Sequence, residues 1–196
     1  DKRNDSGTAD TAIGLLQGVP QDKRFFMWVH FFGTHWPDEV HAGIRNYGTH
    51  PVDLYDHQVA YLDTQLIRLL DEIAKRPTPT AVIVTADHGE GINPISRYHG
   101  DSLDEPVIRI PLLARVPGWP AGRVKRAVSC VDIVPTVLGI LQSPKPGYLD
   151  GIDLGPLALR QQDTPGRQLF SDAWRYSPYE RLELDPSAVC DGTRQF

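Results

Sequence analysis

Ala81-Val82-Ile83-Val84-Thr85-Ala86-Asp87-His88-Gly89-Glu90-Gly91 decides the fold. Its first five residues are continuous and largely β-branched, the composition of a central strand. Then the character changes at once: an acid, an imidazole and a second acid stand among glycines that let the backbone turn sharply. In α/β sheets, ligands gather outside the carboxyl ends of strands, so a chemically loaded turn directly after an apolar run marks a candidate site. A carboxylate offers a hard oxygen to a cation. An imidazole offers either a nitrogen ligand or a hydrogen-bond donor to an anion. Taken alone, Asp-His-Gly is also an ordinary Asx-type turn with a satisfied histidine.

Around this stretch, helical and strand-like patterns alternate, which predicts an α/β domain. A short helix is expected from about Ala9 to Gln17, stopped by Gly18 and Pro20. Phe25-Phe26-Met27-Trp28-Val29-His30-Phe31-Phe32 reads as a strand buried on both faces, ended by Gly33 and Pro37. The clearest helix runs from about Asp53 to Arg76. Val59, Leu62, Leu66, Leu69, Leu70 and Ile73 recur at steps of three and four on one face. Asp53 and Asp56 open that helix, and Lys75 and Arg76 close it, an order that complements the helix dipole. Ile108–Val116 is a further strand candidate, with Pro111 arguing for an edge or a bulge. Asp132 is expected to cap a helix through Val134, Val137, Leu138 and Leu141. Gln142–Pro156 reads as a long loop, and Gln168-Leu169-Phe170-Ser171 as a late strand. Cys190–Phe196 reads as a turn leading toward another strand. Together these predict part of a three-layer α/β sandwich. Phe25–Phe31 and Ala81–Thr85 would be adjacent or near-adjacent strands, with the Asp53–Arg76 helix on one face.

The 196 residues carry 20 basic and 25 acidic side chains, a formal charge of −5, with 40% hydrophobic and 23% charged residues. Those are ordinary values for a globular chain, long enough for one sizeable core. No apolar run reaches the roughly 18–20 residues of a transmembrane helix, and no signal-peptide pattern opens the chain. The acidic balance, with Arg123-Val124-Lys125-Arg126 as the longest basic cluster, argues against nucleic acid as a partner. Cys130 and Cys190 are too few for a zinc cluster. Two separate buried thiols are the leading reading and one disulfide the alternative. The apolar setting of Cys130 predicts an inert thiol.

Two further histidine segments accompany the turn. His35, in His30-Phe31-Phe32-Gly33-Thr34-His35-Trp36-Pro37, stands at a predicted strand end where Trp36 and Pro37 can stiffen the loop. His30, inside the run, reads as packing or support. His99 lies in Arg97-Tyr98-His99-Gly100. Each is weak by itself.

Taken together, these segments resemble the sulfatase family of the alkaline phosphatase superfamily. Phe25–Pro37 is similar to the strand and loop ending in Pro-His-x-Pro, with Thr34 where proline is usual. Tyr55-Asp56-His57-Gln58-Val59-Ala60-Tyr61-Leu62-Asp63 is similar to Y-D-x-x-V-x-Y-x-D. Val84–Glu90 is similar to V-T-S-D-H-G-E, Ile108-Arg109-Ile110-Pro111-Leu112-Leu113 to I-R-V-P-L-L, and Val131–Leu138 to D-I-x-P-T-L. The match runs in order over about residues 9–175. It implies an alkaline-phosphatase-like αβα sandwich with only part of the sheet present. Asp87 and His88 would be ligands of a divalent metal. That metal would be calcium for a sulfatase proper, and manganese, magnesium or zinc for the phosphoester and phosphonate hydrolases that histidine at 88 resembles. His35 and His99 would contact the sulfate or phosphate group. The implied substrate is a small-molecule or glycan sulfate or phosphate ester, and the implied location is periplasmic, extracellular or membrane-anchored.

The departures carry weight too. No C-x-P-x-R or S-x-P-x-R nucleophile motif occurs, and the paired N-terminal aspartates of the family are absent. Ile92-Asn93-Pro94-Ile95-Ser96 stands where Glu-His-Gly often follows. Both ends read as cut, so residues 1–196 read as part of a catalytic domain lacking its N-terminal share. The rival is a degenerate, non-catalytic module that binds an anionic glycan or a protein. A nucleotide-binding doubly wound domain fails for want of G-x-G-x-x-G or G-x-x-x-x-G-K-[ST]. Asp87, His88, His35 and His99 are expected to converge at one end of the sheet.

Overall fold

The computed structural model describes residues 4–92, 99, 103–160, 166–172 and 187–190, the side chains of 172 and 187–190 excepted. Two compact units divide the chain, one up to Thr80 and one from Ala81 onward.

The first unit is two helices and a long irregular segment between them. Helix α1 spans Asp5–Gly18, capped by the Asn4 side chain, which accepts the Gly7 N–H at 2.8 Å. It begins four residues before the predicted start, because the Asn4 cap signal sits outside the apolar pattern. Helix α2 spans Pro51–Ala74. Pro51 fits its first turn, and Asp53 accepts the His50 N–H at 3.0 Å. Its apolar stripe is mostly half-buried, and Val59 is exposed. The positions buried alongside Leu69 are polar: His57, Gln58 and Gln65. Arg76, just past α2, is also buried. Its guanidinium donates to the carbonyls of Val19, Pro20 and Lys23 at 3.1, 2.8 and 3.3 Å and lies over the Phe25 ring. One side chain thus replaces the ladder partners that the 19–23 turn lacks.

The Phe25–Phe32 run corrects the sequence reading, since it forms no strand. Phe25, Met27 and Val29 are half-buried, whereas Phe26 and Trp28 are 78% and 74% exposed. Met27 to His30 line an open groove against α1 residues such as Thr8, Ala12 and Leu15. The period of two survives, but the first unit has no strand among its described residues to hydrogen-bond to. One side therefore rests on α1 and the other faces outward.

In the second unit, β1 (Val82–Thr85) pairs antiparallel with β2 (Leu112–Arg115), Thr85 opposite Leu112. The predicted central strand is thus paired on one side among the described residues and is half-buried throughout. Pro111 falls just before β2, so the Ile108–Val116 candidate shrinks to four residues preceded by the helical turn α3, Glu105–Ile108. A 3₁₀ turn, Cys130–Asp132, leads into α4, Ile133–Ile140, and α5 covers Gly155–Ala158. The late strand is β3, Leu169–Asp172, antiparallel to β4, Ser187–Cys190. The proposed strand start after Cys190 lies outside the described residues. No helix among the described residues is long and apolar enough to cross a membrane.

Asp132 does not cap α4 with its side chain. Fully buried, it accepts the N–H groups of Ser129 and Ile152 at 2.8 and 2.9 Å and a bidentate pair of bonds from Arg167 at 2.8 and 2.6 Å. Burial alone would raise its pKa, but the Arg167 guanidinium and the two backbone donors outweigh it and hold it below the ordinary 3.8. A folded-state pKa below the unfolded one contributes stability above pH 4, lost as pH falls through the folded value. Asp132→Ala should therefore cost about 3–5 kcal/mol, the penalty of stranding a buried partner charge. Thermal unfolding from pH 7 down to 2 checks both: the wild-type chain should lose stability below about pH 4, and the variant should lack the share of that loss due to Asp132.

Candidate functional site

The end of β1 is pinned before the candidate residues begin. Thr85 Oγ1 donates to the Pro111 carbonyl at 2.9 Å, and the Gly89 N–H donates to the Val107 carbonyl at 2.6 Å. The turn therefore lies directly on α3. A Cβ at residue 89 would stand 1.9 Å from the Pro106 carbonyl oxygen, so this close approach requires glycine.

On that turn Asp87 presents an exposed carboxylate, one oxygen of which accepts the His88 N–H at 3.0 Å. His88 Nδ1 lies 2.8 Å from the Gly89 carbonyl, so Nδ1 carries the proton and Nε2 carries the lone pair. Nε2 is 3.7 Å from Asp87 Oδ2. The His99 ring stacks on His88 with centroids 4.0 Å apart and planes 14° from parallel. Its Nδ1 faces Glu90 Oε1 at 3.3 Å. Asp87, His88 and His99 thus come together within the second unit, and Glu90 joins them. Tyr98 and Gly100 lie outside the described residues, as do Asn93–Ser96.

His35 belongs to the first unit, in the loop after the aromatic run. Its ring stacks on Phe32 at 4.7 Å, and its Nδ1 is 2.6 Å from the Trp36 carbonyl. Phe32 also accepts the His35 N–H at 3.2 Å. His30 is exposed, with its ring 6.0 Å from that of Phe32.

Cys130 departs from expectation. It is a free thiol and exposed, not a buried one. Its Sγ lies 3.8 Å from the Ala86 carbonyl. Partial burial of the sulfur and the Asp87 charge both push its pKa up, which lowers the share of reactive thiolate.

For a divalent cation, Asp87 and the Nε2 of His88 are chemically suitable donors: a hard oxygen, and an imidazole whose far nitrogen is held by a carbonyl. Among the described residues no group of three or more His, Cys, Asp or Glu side chains is arranged to hold a metal. Two donors fit a cation but do not complete its shell.

Sequence reasoning missed Asp5, Glu90, and the polar buried face of α2. Asp5 precedes the apolar pattern of α1, and nothing in its spacing marks it. His57 and Gln58 lay inside the Y-D-x-x-V-x-Y-x-D resemblance, and their position on the buried face was the available signal.

Comparison with known proteins shows the family and the fold. The Sulfatase family model matches residues 1–143. The chain is 42% identical over 80 residues to arylsulfatase K of Canis lupus familiaris, covering 40% of this chain and 15% of that protein. It is 31% identical over 168 residues to human arylsulfatase A, covering 76% of this chain and 32% of that protein. In structure it is similar to Ps i-CgsB, solved with k-i-k-neocarrahexaose: TM-score 0.73, 19% identity, 87% of this chain and 42% of that one. It is also similar to the phosphonate monoester hydrolase SpPMH from Silicibacter pomeroyi: TM-score 0.58, 24% identity, 66% of this chain and 26% of that one. Those two likenesses show the alkaline-phosphatase-like fold. The chain spans less than a third of the length of the arylsulfatases.

Gly89→Ala should destabilise the second unit by about 1–3 kcal/mol, since a backbone oxygen cannot step aside as a side chain would. Urea unfolding of the two proteins checks this, and an unchanged midpoint would show that the turn does not depend on close approach to α3.

Proposed function

Because the chain belongs to the Sulfatase family, we propose that it is part of a metal-dependent hydrolase of sulfate esters, with phosphate and phosphonate esters as the alternative substrate class. One observation carries the reading. Asp87 and His88 from one motif and His99 from another meet beside one another at the end of β1. The substrate class, small-molecule or glycan, is supported by the arylsulfatase relatives and by the oligosaccharide in the Ps i-CgsB complex. A location outside the cytoplasm follows from the same family reading.

In this reading Asp87 and His88 Nε2 hold a divalent cation: calcium for a sulfate ester hydrolase, manganese, magnesium or zinc for a phosphoester one. When bound, the cation acts as a Lewis acid toward the ester group. Every other task falls to side chains. His99 faces developing negative charge on the non-bridging oxygens, with Glu90 beside its Nδ1 to orient the ring. His35, within the first unit, is read as an anion contact too. The attacking oxygen nucleophile has no candidate here, because neither Cys130 nor Cys190 is followed by the proline and arginine of the family motif. The raised pKa of Cys130 also disqualifies it as a substitute.

Two expectations follow for the 196-residue chain. It should bind calcium, manganese or zinc weakly, because waters must take the place of the missing donors. It should not turn over aryl sulfates or aryl phosphates, since loss of a nucleophile leaves only residual electrostatic effects. Isothermal titration and chromogenic assays with excess of each metal check both. Metal-dependent turnover abolished by Asp87→Ala would sink the claim that the chain lacks its nucleophile. Extended to the length of its relatives, the protein should hydrolyse at least one of these ester classes. It should then lose that activity by roughly 100-fold or more on Asp87→Ala or His88→Ala. An extended protein inert toward every such ester would favour the non-catalytic module instead.

A further inference from the structure

We propose that Asp5 is a positioning residue for His35, acting through the backbone and ring of Phe32. The inference rests on the reading of His35 as an anion contact, and it names what holds that contact in place.

Asp5 lies in the first turn of α1, 1% exposed. Its Oδ1 accepts two backbone N–H groups at the far end of the aromatic run, Phe32 at 3.1 Å and Gly33 at 3.0 Å. These are charge-assisted bonds, stronger than neutral ones. Phe32 then passes the constraint on in two ways. Its carbonyl accepts the His35 N–H at 3.2 Å, and its ring stacks on the His35 imidazole at 4.7 Å and 14°. The Phe32 N–H, carbonyl and ring are therefore all engaged, two of them by His35 and one by Asp5.

The other carboxylate oxygen makes the case specific. Asp5 Oδ2 is buried without a hydrogen-bond partner among the described residues. It lies against Gly33, where a Cβ would stand only 2.0 Å away. A buried polar atom left unmatched costs stability, and such an atom calls for an explanation. Burial pushes the Asp5 carboxyl above its ordinary pKa against the two backbone bonds, which expresses the same cost. A neutral small residue at the start of α1 would avoid that cost. It would also leave the Phe32 and Gly33 N–H groups, and the loop that carries His35, without an anchor. Gln58 of α2 is buried beside the same loop. With its amide oriented to satisfy both ends, it donates to the Gly33 carbonyl at 3.0 Å, so the loop is held from both helices.

The test uses the 196-residue chain with isotopically labelled histidine and backbone amides. In the wild type, the Phe32 and Gly33 amides should exchange with solvent about ten-fold or more slowly than an open loop, the factor that ~1.4 kcal/mol supplies. Asp5→Ser should abolish that protection and shift the His35 ring resonances off the position set by stacking on Phe32. The His57 resonances should stay in place as a control on the fold. Asp5→Asn, whose amide oxygen can accept both N–H groups, should restore the His35 resonances. Wild-type amides that exchange freely would overturn the proposal even if Asp5→Ser failed to fold, and so would a His35 signal unmoved in Asp5→Ser. Titration with inorganic sulfate separates the two claims. Sulfate should shift His35 in the wild type and shift it less in Asp5→Ser. If sulfate moves His35 in neither protein while Asp5→Ser still displaces the ring, the positioning role stands and the anion-contact reading falls.

Discussion

Buried carboxylates do for this chain what long strands do elsewhere. Its described strands are four residues each, and long stretches such as 19–50 and 141–154 form neither helix nor strand. Backbone N–H groups in such stretches still need partners wherever they leave water. Asp132 supplies two, to Ser129 and Ile152, and its remaining capacity is taken up by the Arg167 fork. Asp5 supplies two more, to Phe32 and Gly33. Arg76 is the mirror image, donating to three loop carbonyls. In each case one multivalent side chain ties a loop to a helix. The difference between the two acids is instructive: Asp132 is fully matched and held anionic, whereas Asp5 is matched on one oxygen only.

That division explains what was legible in the sequence. Helices α1 and α2 were read from apolar spacing, and Val82–Thr85 from its β-branched run, because those signals are local. The Phe25–Phe32 run was misread because pairing depends on a neighbour, which composition does not encode. Aromatic residues at both odd and even positions suggest burial on two faces, yet Phe26, Trp28 and His30 are exposed and the rest of the run is only partly covered. Asp132 stands at the N-cap of α4 as expected, but the misreading of where its side chain bonds has the same root. An acid before a helix looks like a cap, and only Arg167, 35 residues later, reveals its role as an ion-pair partner. At the site, Asp87, His88 and His99 were nominated through motifs joined by family resemblance. Glu90 closes the V-T-S-D-H-G-E resemblance, but its contact with His99 spans nine residues and is not written in that motif, and no motif includes Asp5.

The three candidate histidines share one further feature that follows from their neighbours alone. His35 Nδ1 faces the Trp36 carbonyl, His88 Nδ1 the Gly89 carbonyl, and His99 Nδ1 the Glu90 carboxylate. Each acceptor favours the tautomer that carries the proton on Nδ1. Two of the acceptors are backbone carbonyls one residue further on, so the tautomer is written into local geometry rather than into tertiary packing. For His88 this leaves a lone pair beside an exposed carboxylate, which is what a cation requires. His99 differs because its acceptor is charged. The Glu90 carboxylate lies 3.3 Å from its Nδ1 and so holds that edge of the ring toward the protein. Stacked at 4.0 Å, His88 and His99 thus differ in what stands behind each ring: a neutral carbonyl for one, a carboxylate for the other.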